Sequence, residues 1–541
     1  MAHTKTNQIG HWDTFHNNGP FATKTLFDTH LEKKENMPAA IDRYKDAAEE
    51  IQRLIRDSIN NHERFRAYGS AWSLSNIAHQ KDRMHYNGRM NISLAIDQNN
   101  LHASTTYKSE DLFYFQCGNI IKEVSEFVHD HGKSLKASGA SNGQTIAGAI
   151  STGVHGAAID GGAIHDSVVG LNLIIGPDPD DIVYIERQSQ PALNDDFINQ
   201  LNSRVIRNDG LFNAALVSLG SFGFIHGVVV ETEDRYLLKR YTKKISKEHA
   251  LELAETMNFQ DASFKIPTEL DSTGKGLRPY HYKLYINPFN DKEDYVTEII
   301  YKKPYRSDYP NPIPRIKTAI YKDLPTWIAR FAAKHKRSIP KIMKAMQGVV
   351  FPKLDVETEG TIGEIFWDST HQGAAFAISF GVDHSDTREA LDLFIKVINE
   401  EGPIPGAIGV RFIKASKATL AFTKFPTTCI LEIDGVLWKG NQNMISLNDF
   451  GYALIEAFQS AGINFTLHWG KNAAWSFPGL LDLMYQDKDD EWKNYRSALL
   501  SKSMADLFSN GFLDTLKLSD YRQNTPENLI ASINVEAQNI S

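Results

Sequence analysis

The chain has 541 residues, 42% hydrophobic and 23% charged, which reads as an ordinary globular protein long enough for two or three cores. A formal net charge of -8 and a pI near 6.2 speak against nucleic acid or an anionic membrane as the main partner, so a neutral or weakly charged small molecule is expected. Only Cys117 and Cys429 occur, which excludes a disulfide framework and a multi-cysteine zinc site, fits a reducing compartment and leaves no metal site suggested.

The first residues, MAHTKTNQIGHWDTF, contain no continuous apolar region of an export signal, and no stretch reaches the roughly 18 apolar residues of a membrane span. A soluble, cytoplasmic protein is expected. In that setting the sequons at Asn91 and Asn464 carry no meaning. From Pro38 onward, Ile41, Tyr44, Ala48, Ile51, Ile55 and Ile59 recur at three- and four-residue steps and predict one amphipathic helix. FRAYGS (65–70) predicts a strand running into a glycine turn, followed by strands in NISLAID and LHASTTY. FYFQCG leads into a helix with Ile121, Val124, Val128 and His131 on one face, stopped by Gly132.

Residues Ser138 to Ser167 are too rich in Gly, Ala, Ser and Thr for ordinary core, and small residues at that density let backbone approach a ligand. SVVGLNLIIGPD and GFIHGVVVETE read as buried strands that complete a nucleotide-binding unit ending near residue 240. Beyond it, HYKLYINPF, AAFAISFGVD, IGVRFIKAS and CILEIDG predict a second sheet, with helices in the stretch from Leu324 to Met346 and in EALDLFIKVINEE. The basic run from Ala332 to Met346, with Lys334, Lys336, Arg337, Lys341 and Lys344, reads first as a solvated helical face and second as a membrane-surface patch.

Two glycine-containing turns are candidates to hold a phosphate-bearing ligand through backbone N–H groups. They are Tyr68-Gly69-Ser70-Ala71-Trp72-Ser73 and the run Gln144 to Gly156, with Gly148, Ser151, Thr152, Gly153 and Val154. With QTIAGAISTGVHG, GSAWS, SLGSFGFIHGVV and HWGK in this order, the sequence resembles the FAD-binding domain of the vanillyl-alcohol oxidase type (the PCMH type). It is most similar to the alditol, aldonolactone and type II sterol oxidase branch. The resemblance covers the first 240 residues well and the stretch to about 400 only in general plan.

It implies an α+β protein: an FAD-binding domain of two α/β subdomains over residues 1–240, a substrate domain on an antiparallel sheet with flanking helices over 241–455, and a segment over 456–541 returning to the flavin. It further implies that Tyr68 to Ser73, Gly139, Ser141, Thr145 and the run to Val154 contact FAD, with Ile225 on the adenine side. His155 reads first as a hydrogen-bonded buried histidine. Trp72 stands where many relatives carry the histidine bonded to the flavin, so dissociable FAD is expected. Gly139 matches a position beside the flavin where a bulkier residue hinders oxygen, which favours an oxidase, although a turn glycine explains the same letter.

On the substrate side, IGVRF keeps the arginine of an acid-x-Arg pair as Arg411 but has Gly409 in the acid's place. Glu432 is the first candidate base for a carbinol proton and Asp434, two residues on and on the same sheet face, the second. Against both stands a plain ion pair on an exposed strand. Lys471 in HWGK corresponds to a lysine at the flavin N1–C2 edge, where a cation stabilises the anionic reduced ring. The implied reaction is oxidation of an alcohol carbon of a small alcohol, sugar, lactone or sterol, with molecular oxygen as acceptor and hydrogen peroxide as product. A dehydrogenase using another acceptor and a flavin binder without turnover remain open.

Overall fold

The apolar repeat after Pro38 folds as helix α1 (Ala40–Asn60), which buries Tyr44, Ala47, Ala48, Ile51, Leu54 and Ile55 along one face. In the computed structural model the described residues are 2–31, 39–290, 292–310, 335–367, 375–437 and 444–523, with Leu529 and Ile533. Pro38, Ala332, Lys334 and the first part of the helix expected from Leu324 lie outside them. Helix α1 lies against a four-stranded sheet of β1 (Ala2–Gln8), β2 (Thr25–Leu31), β3 (Phe65–Tyr68) and β4 (Arg83–Tyr86), in the order β1-β2-β4-β3. The pairing of β2, β4 and β3 is parallel. The two N-terminal strands were not foreseen, because β1 is mostly exposed and lacks the apolar alternation that announces a strand.

A second sheet carries β5 (Ser93–Ala95), β6 (Leu112–Gln116), β7 (Val168–Ile174), β8 (Ile182–Glu186), β9 (Arg204–Arg207) and β10 (Phe224–Glu231) in the order β9-β8-β7-β10-β6-β5. Strands β6, β7 and β8 are buried on both faces, which explains their continuous apolar letters. Helix α2 (Ile121–Asp130) ends at Gly132, whose φ of 81° only glycine adopts freely. The expected strand at LHASTTY is a correction. Leu101 makes one bridge to Leu193, after which Ser104 and Tyr107 donate backbone N–H groups to His102 Nδ1 and Thr105 Oγ1, so local side-chain bonds replace a ladder.

The third sheet has eight strands and is antiparallel throughout: β11 (Tyr236–Ile245), β12 (His281–Ile286), β13 (Tyr295–Pro304), β14 (Glu357–Gly360), β15 (Ala375–Asp383), β16 (Gly406–Lys414), β17 (Thr427–Val436) and β18 (Thr466–Leu467). Their order is β14-β11-β13-β12-β16-β17-β15-β18. The change of sheet falls at Tyr236, and β18 comes from beyond residue 455, so the last segment is part of this sheet as well. Helix Thr387–Glu401 flanks it as expected. In the basic stretch, a helix over Ile339–Val350 leaves Lys341 and Lys344 exposed. No helix among the described residues is long and apolar enough to cross a membrane.

The C-terminal helices fold back onto the first half. Trp492 Nε1 donates to Val217 O at 3.2 Å, Gln80 Nε2 donates to Ser509 O at 2.8 Å, and Asn510 Nδ2 donates to Ile77 O at 2.9 Å. Arg66 on β3 is buried, donates to the carbonyls of Leu219, Gly220 and Phe508, and is pushed down to about 9 by burial. Both cysteines are free and buried.

Candidate active site

Strand β3 ends in a turn that has to pass close to helix α3 (Ile146–Ser151). A Cβ on Gly69 would stand 1.9 Å from Thr145 Oγ1, so no other residue fits there without a shift. Ala71 takes a left-handed φ of 55°, and its carbonyl accepts the N–H of Phe15 at 2.9 Å. The backbone N–H groups of Ser70, Ala71, Trp72 and Ser73 donate to no other group among the described residues. Beside them, Thr145 Oγ1 and Gln144 Oε1 are buried without a hydrogen-bond partner. Four successive free amides with two orphaned polar atoms have the chemistry that a pyrophosphate-bearing cofactor requires, so the residues fit the expected FAD.

Tyr68 packs edge-on to Trp12 at 5.4 Å, and burial pushes its phenol up to about 12. Trp72 stacks on Phe15 with centroids 4.2 Å apart, and a Cβ on Gly143 would meet its ring at 2.8 Å. The small residues of the second turn are used locally. Ser151 Oγ donates to Ala147 O at 2.7 Å, Thr152 Oγ1 donates to Gly148 O at 2.9 Å, and Val154 N–H returns to Ala149 O at 2.9 Å through Gly153, with a φ of 70°. Gly148 is exposed and Ser141 half-buried, whereas Gly139 is buried with Val154 Cγ1 at 3.1 Å from where its Cβ would be. Ile225 sits in β10 opposite Leu173 as part of the main core.

HWGK closes on the first turn. Leu74 N–H donates to Gly470 O at 2.8 Å, Ser75 Oγ donates to Trp469 O at 2.7 Å, and Asn472 Nδ2 donates to Leu74 O at 3.2 Å. Trp469 is buried and stacked on Trp475 and Tyr485. His468 and His155 face each other at 5.1 Å and both contact the Phe422 ring. His155 Nδ1 bonds to Gly156 O at 2.9 Å, and burial, with Arg411 adding to it, pushes this histidine down to about 3. It is a neutral, hydrogen-bonded buried histidine.

The charged residues come together through strand register. Gly409 on β16 stands directly opposite Glu432 on β17, and Glu432 opposite Ser379 on β15. Glu432 therefore reaches Arg411 across the strands and supplies the carboxylate that residue 409 lacks. It also accepts from Ser379 Oγ and lies 3.1 Å from Lys471 Nζ. Burial alone would raise the Glu432 carboxyl, but Arg411 and Lys471 outweigh it and hold it well below the usual carboxylate range.

Asp434, 3.9 Å from Lys471 Nζ, behaves oppositely: burial and the neighbouring Glu432 raise it to about 7. Its side chain is nevertheless 57% exposed, so the like charge of Glu432 carries the upward direction more firmly than burial does. The same face carries Lys283, which is paired in register with Arg411, and Tyr285, paired with Gly409. Further along, Glu298 accepts an approach of 3.1 Å from His281 Nε2 and 3.7 Å from Arg240 and is pushed down to about 2. The sequence named neither Lys283 nor Ser379. Their only signal is which residue faces which across a ladder. Among the described residues no cluster of His, Cys, Asp and Glu could hold a metal ion.

Residues 39–178 match the family described as FAD binding domain. The chain is 23% identical over 206 residues to D-arabinono-1,4-lactone oxidase of Candida glabrata, covering 38% of this chain and 34% of that protein, so the match spans about a third of its relative. The cholesterol oxidase of B. sterolicum superposes with a TM-score of 0.65 at 13% identity, covering 95% of this chain and 97% of that one. A VAO-type flavoprotein of Myceliophthora thermophila gives 0.56 at 10% identity, over 89% and 78%. Residues 39–178 thus match an FAD binding domain, and the chain as a whole shares the α+β fold of the cholesterol oxidase and the VAO-type flavoprotein. Its curated and structural relatives include a lactone oxidase and a sterol oxidase.

Proposed function

We propose that this protein oxidises a carbinol carbon of a small polar substrate, holding FAD without a covalent bond between the Tyr68–Ser73 turn and HWGK, with molecular oxygen as acceptor and hydrogen peroxide as product. The observation that carries the reading is the seating of four free amides and Lys471 at one place, joined by the Leu74 to Gly470 hydrogen bond. When bound, FAD supplies the two-electron acceptor for the hydride. The amides of Ser70 to Ser73 hold the phosphates, with Tyr68, Gly69, Gly139, Ser141, Thr145 and the run Gly148 to His155 around the cofactor, and Ile225 behind the adenine side. Trp72, an indole packed on Phe15, offers no nucleophile for a covalent link.

Asp434 is the base in this reading, ahead of Glu432. A carboxyl raised to about 7 takes the substrate hydroxyl proton on its Oδ near neutral pH, whereas Glu432, ion-paired twice, has little affinity for a proton. Glu432 fixes Arg411 and Lys471 in place, and those two cations stabilise negative charge that builds up over the sheet. A sheet face that carries Arg411, Lys283, Glu432 and Asp434 favours sugars, lactones and other polar alcohols over a sterol, because an apolar ring system would desolvate these groups without pairing them. A cytoplasmic location belongs to the same proposal and is supported by the two free thiols.

A dehydrogenase passing electrons to another acceptor is the second reading. It is favoured by the contact of Val154 with Gly139, which accounts for a glycine there without reference to oxygen. Acid precipitation of the purified protein tests the cofactor: yellow flavin in the supernatant is expected, and flavin kept in the pellet refutes the noncovalent link. Oxygen uptake on a panel of polyols, sugars and lactones separates the two enzymes, since dye reduction without uptake marks the dehydrogenase.

A further inference from the structure

Lys283 stands out on the sheet face beneath the proposed flavin site. It is paired in register with Arg411, so two cations lie side by side across β12 and β16. The other cations at the centre of this face make ion pairs: Arg411 and Lys471 share Glu432, and Arg240 lies 3.7 Å from Glu298. Lys283 has no ion pair among the described residues, and its ammonium rests only over the Tyr285 ring, 4.2 Å from the centroid. Arg411 Nε, next to it, is buried without a hydrogen-bond partner. Burial and the neighbouring Arg411 push Lys283 down from its ordinary value, against the opposite pull of Glu298, its register partner on β13, and of Asp434 and Glu432.

The stem of Lys283 occupies the place opened at Gly409, where a Cβ would lie 3.5 Å from its Cε. An acidic side chain at 409 would stand against this lysine. With glycine there and its carboxylate role moved across the ladder to Glu432, the ground above Gly409 changes from acid to base. Net charge over the whole chain says nothing about this point, because Lys283 is half-buried on the sheet, where screening is weaker than at an exposed surface.

Resting on the reading of this sheet face as the substrate site, we infer that Lys283 and Arg411 Nε form an oxyanion subsite, so that the substrate carries a carboxylate or a phosphate besides the hydroxyl that is oxidised. Hydrogen bonds to charged groups are stronger than neutral ones, and two donors converging on one anion fix its orientation. The substrate's anionic end is thereby set over Gly409, and its hydroxyl end is left for Asp434.

The test uses the FAD-loaded protein and two series of probes with common skeletons: glycerol, glycerate and glycerol 3-phosphate, then sorbitol, gluconate and sorbitol 6-phosphate. Binding is measured by calorimetry. In at least one series an anion is expected to bind about tenfold or more tightly than its neutral counterpart, with the preferred anion distinguishing carboxylate from phosphate. Lys283→Met should bring the ratio close to one, and Lys283→Arg should keep it. Wild-type protein that binds no anion better than its alcohol, or a Lys283→Met protein that keeps the preference, overturns the inference. Protein that fails to take up FAD refutes the flavin reading instead, so the two failures are told apart.

Discussion

The six residues Tyr68 to Ser73 make one half of the site from contiguous chain, while the other half draws Lys283, Ser379, Arg411, Glu432 and Lys471 from β12, β15, β16, β17 and the segment after β18. In the turn, position along the chain is nearly position in space, and the groups on offer are backbone amides. Over the sheet they are side chains, and neighbours as distant in sequence as Lys283 and Arg411 are set by ladder register. A substitution in the turn is therefore expected to disturb a shape, and one in the sheet to unbalance a charge.

The largest effect tests the sheet. Asp434→Asn should lower turnover by about 10²–10⁴-fold while FAD still binds. In the unsubstituted protein, turnover should rise with pH through about 7 as Asp434 loses its proton, because only the carboxylate accepts the hydroxyl proton; the Asn variant should lack that rise. Stopped-flow measurement of flavin bleaching across pH reads both, and an unchanged profile in the variant would remove Asp434 from the role. Next, Arg411→Leu leaves Glu432 buried with one cation fewer and should cost about 3–5 kcal/mol in a denaturant titration.

In the turn, Gly69→Ala forces a Cβ into Thr145 and should weaken FAD binding by roughly 1–3 kcal/mol, read by fluorescence titration of released flavin. If that variant instead binds FAD normally, the turn is softer than its packing implies, and the contrast between the two halves fades. The smallest effect is expected from Trp72→Leu, which removes the stack on Phe15 and should lower the melting temperature by the equivalent of about 0.5–1.5 kcal/mol, with FAD still acid-extractable.

What could be read from the letters follows the same division. QTIAGAISTGVHG and GSAWS announce themselves because glycine and small side chains are required by close approach, as Gly69 against Thr145 shows. Long apolar strands such as β7 and β10 are legible for the same local reason. What sets the two carboxyls apart was not legible: Glu432 lies between two cations and Asp434 beside a charged neighbour of its own sign. Nor was the partner of Arg411, since Gly409 hides a carboxylate that arrives from the facing strand. The N-terminal strand β1, polar and exposed, was missed because it pairs at the rim of its sheet and buries little.

The bonds from Leu74 and Ser75 to Gly470 and Trp469 also bear on the order in which the molecule is made. Domains fold as units while the chain is being synthesised, the N-terminal one first. Here the N-terminal unit meets partners near its turn only after the ribosome has released the residues around Ser509 and Asn510, which bind Gln80 and the carbonyls of Ile77 and His79. The turn begun by β3 thus emerges well before the partners that complete it, and a nascent chain stopped before HWGK carries the amides without the clasp that holds them.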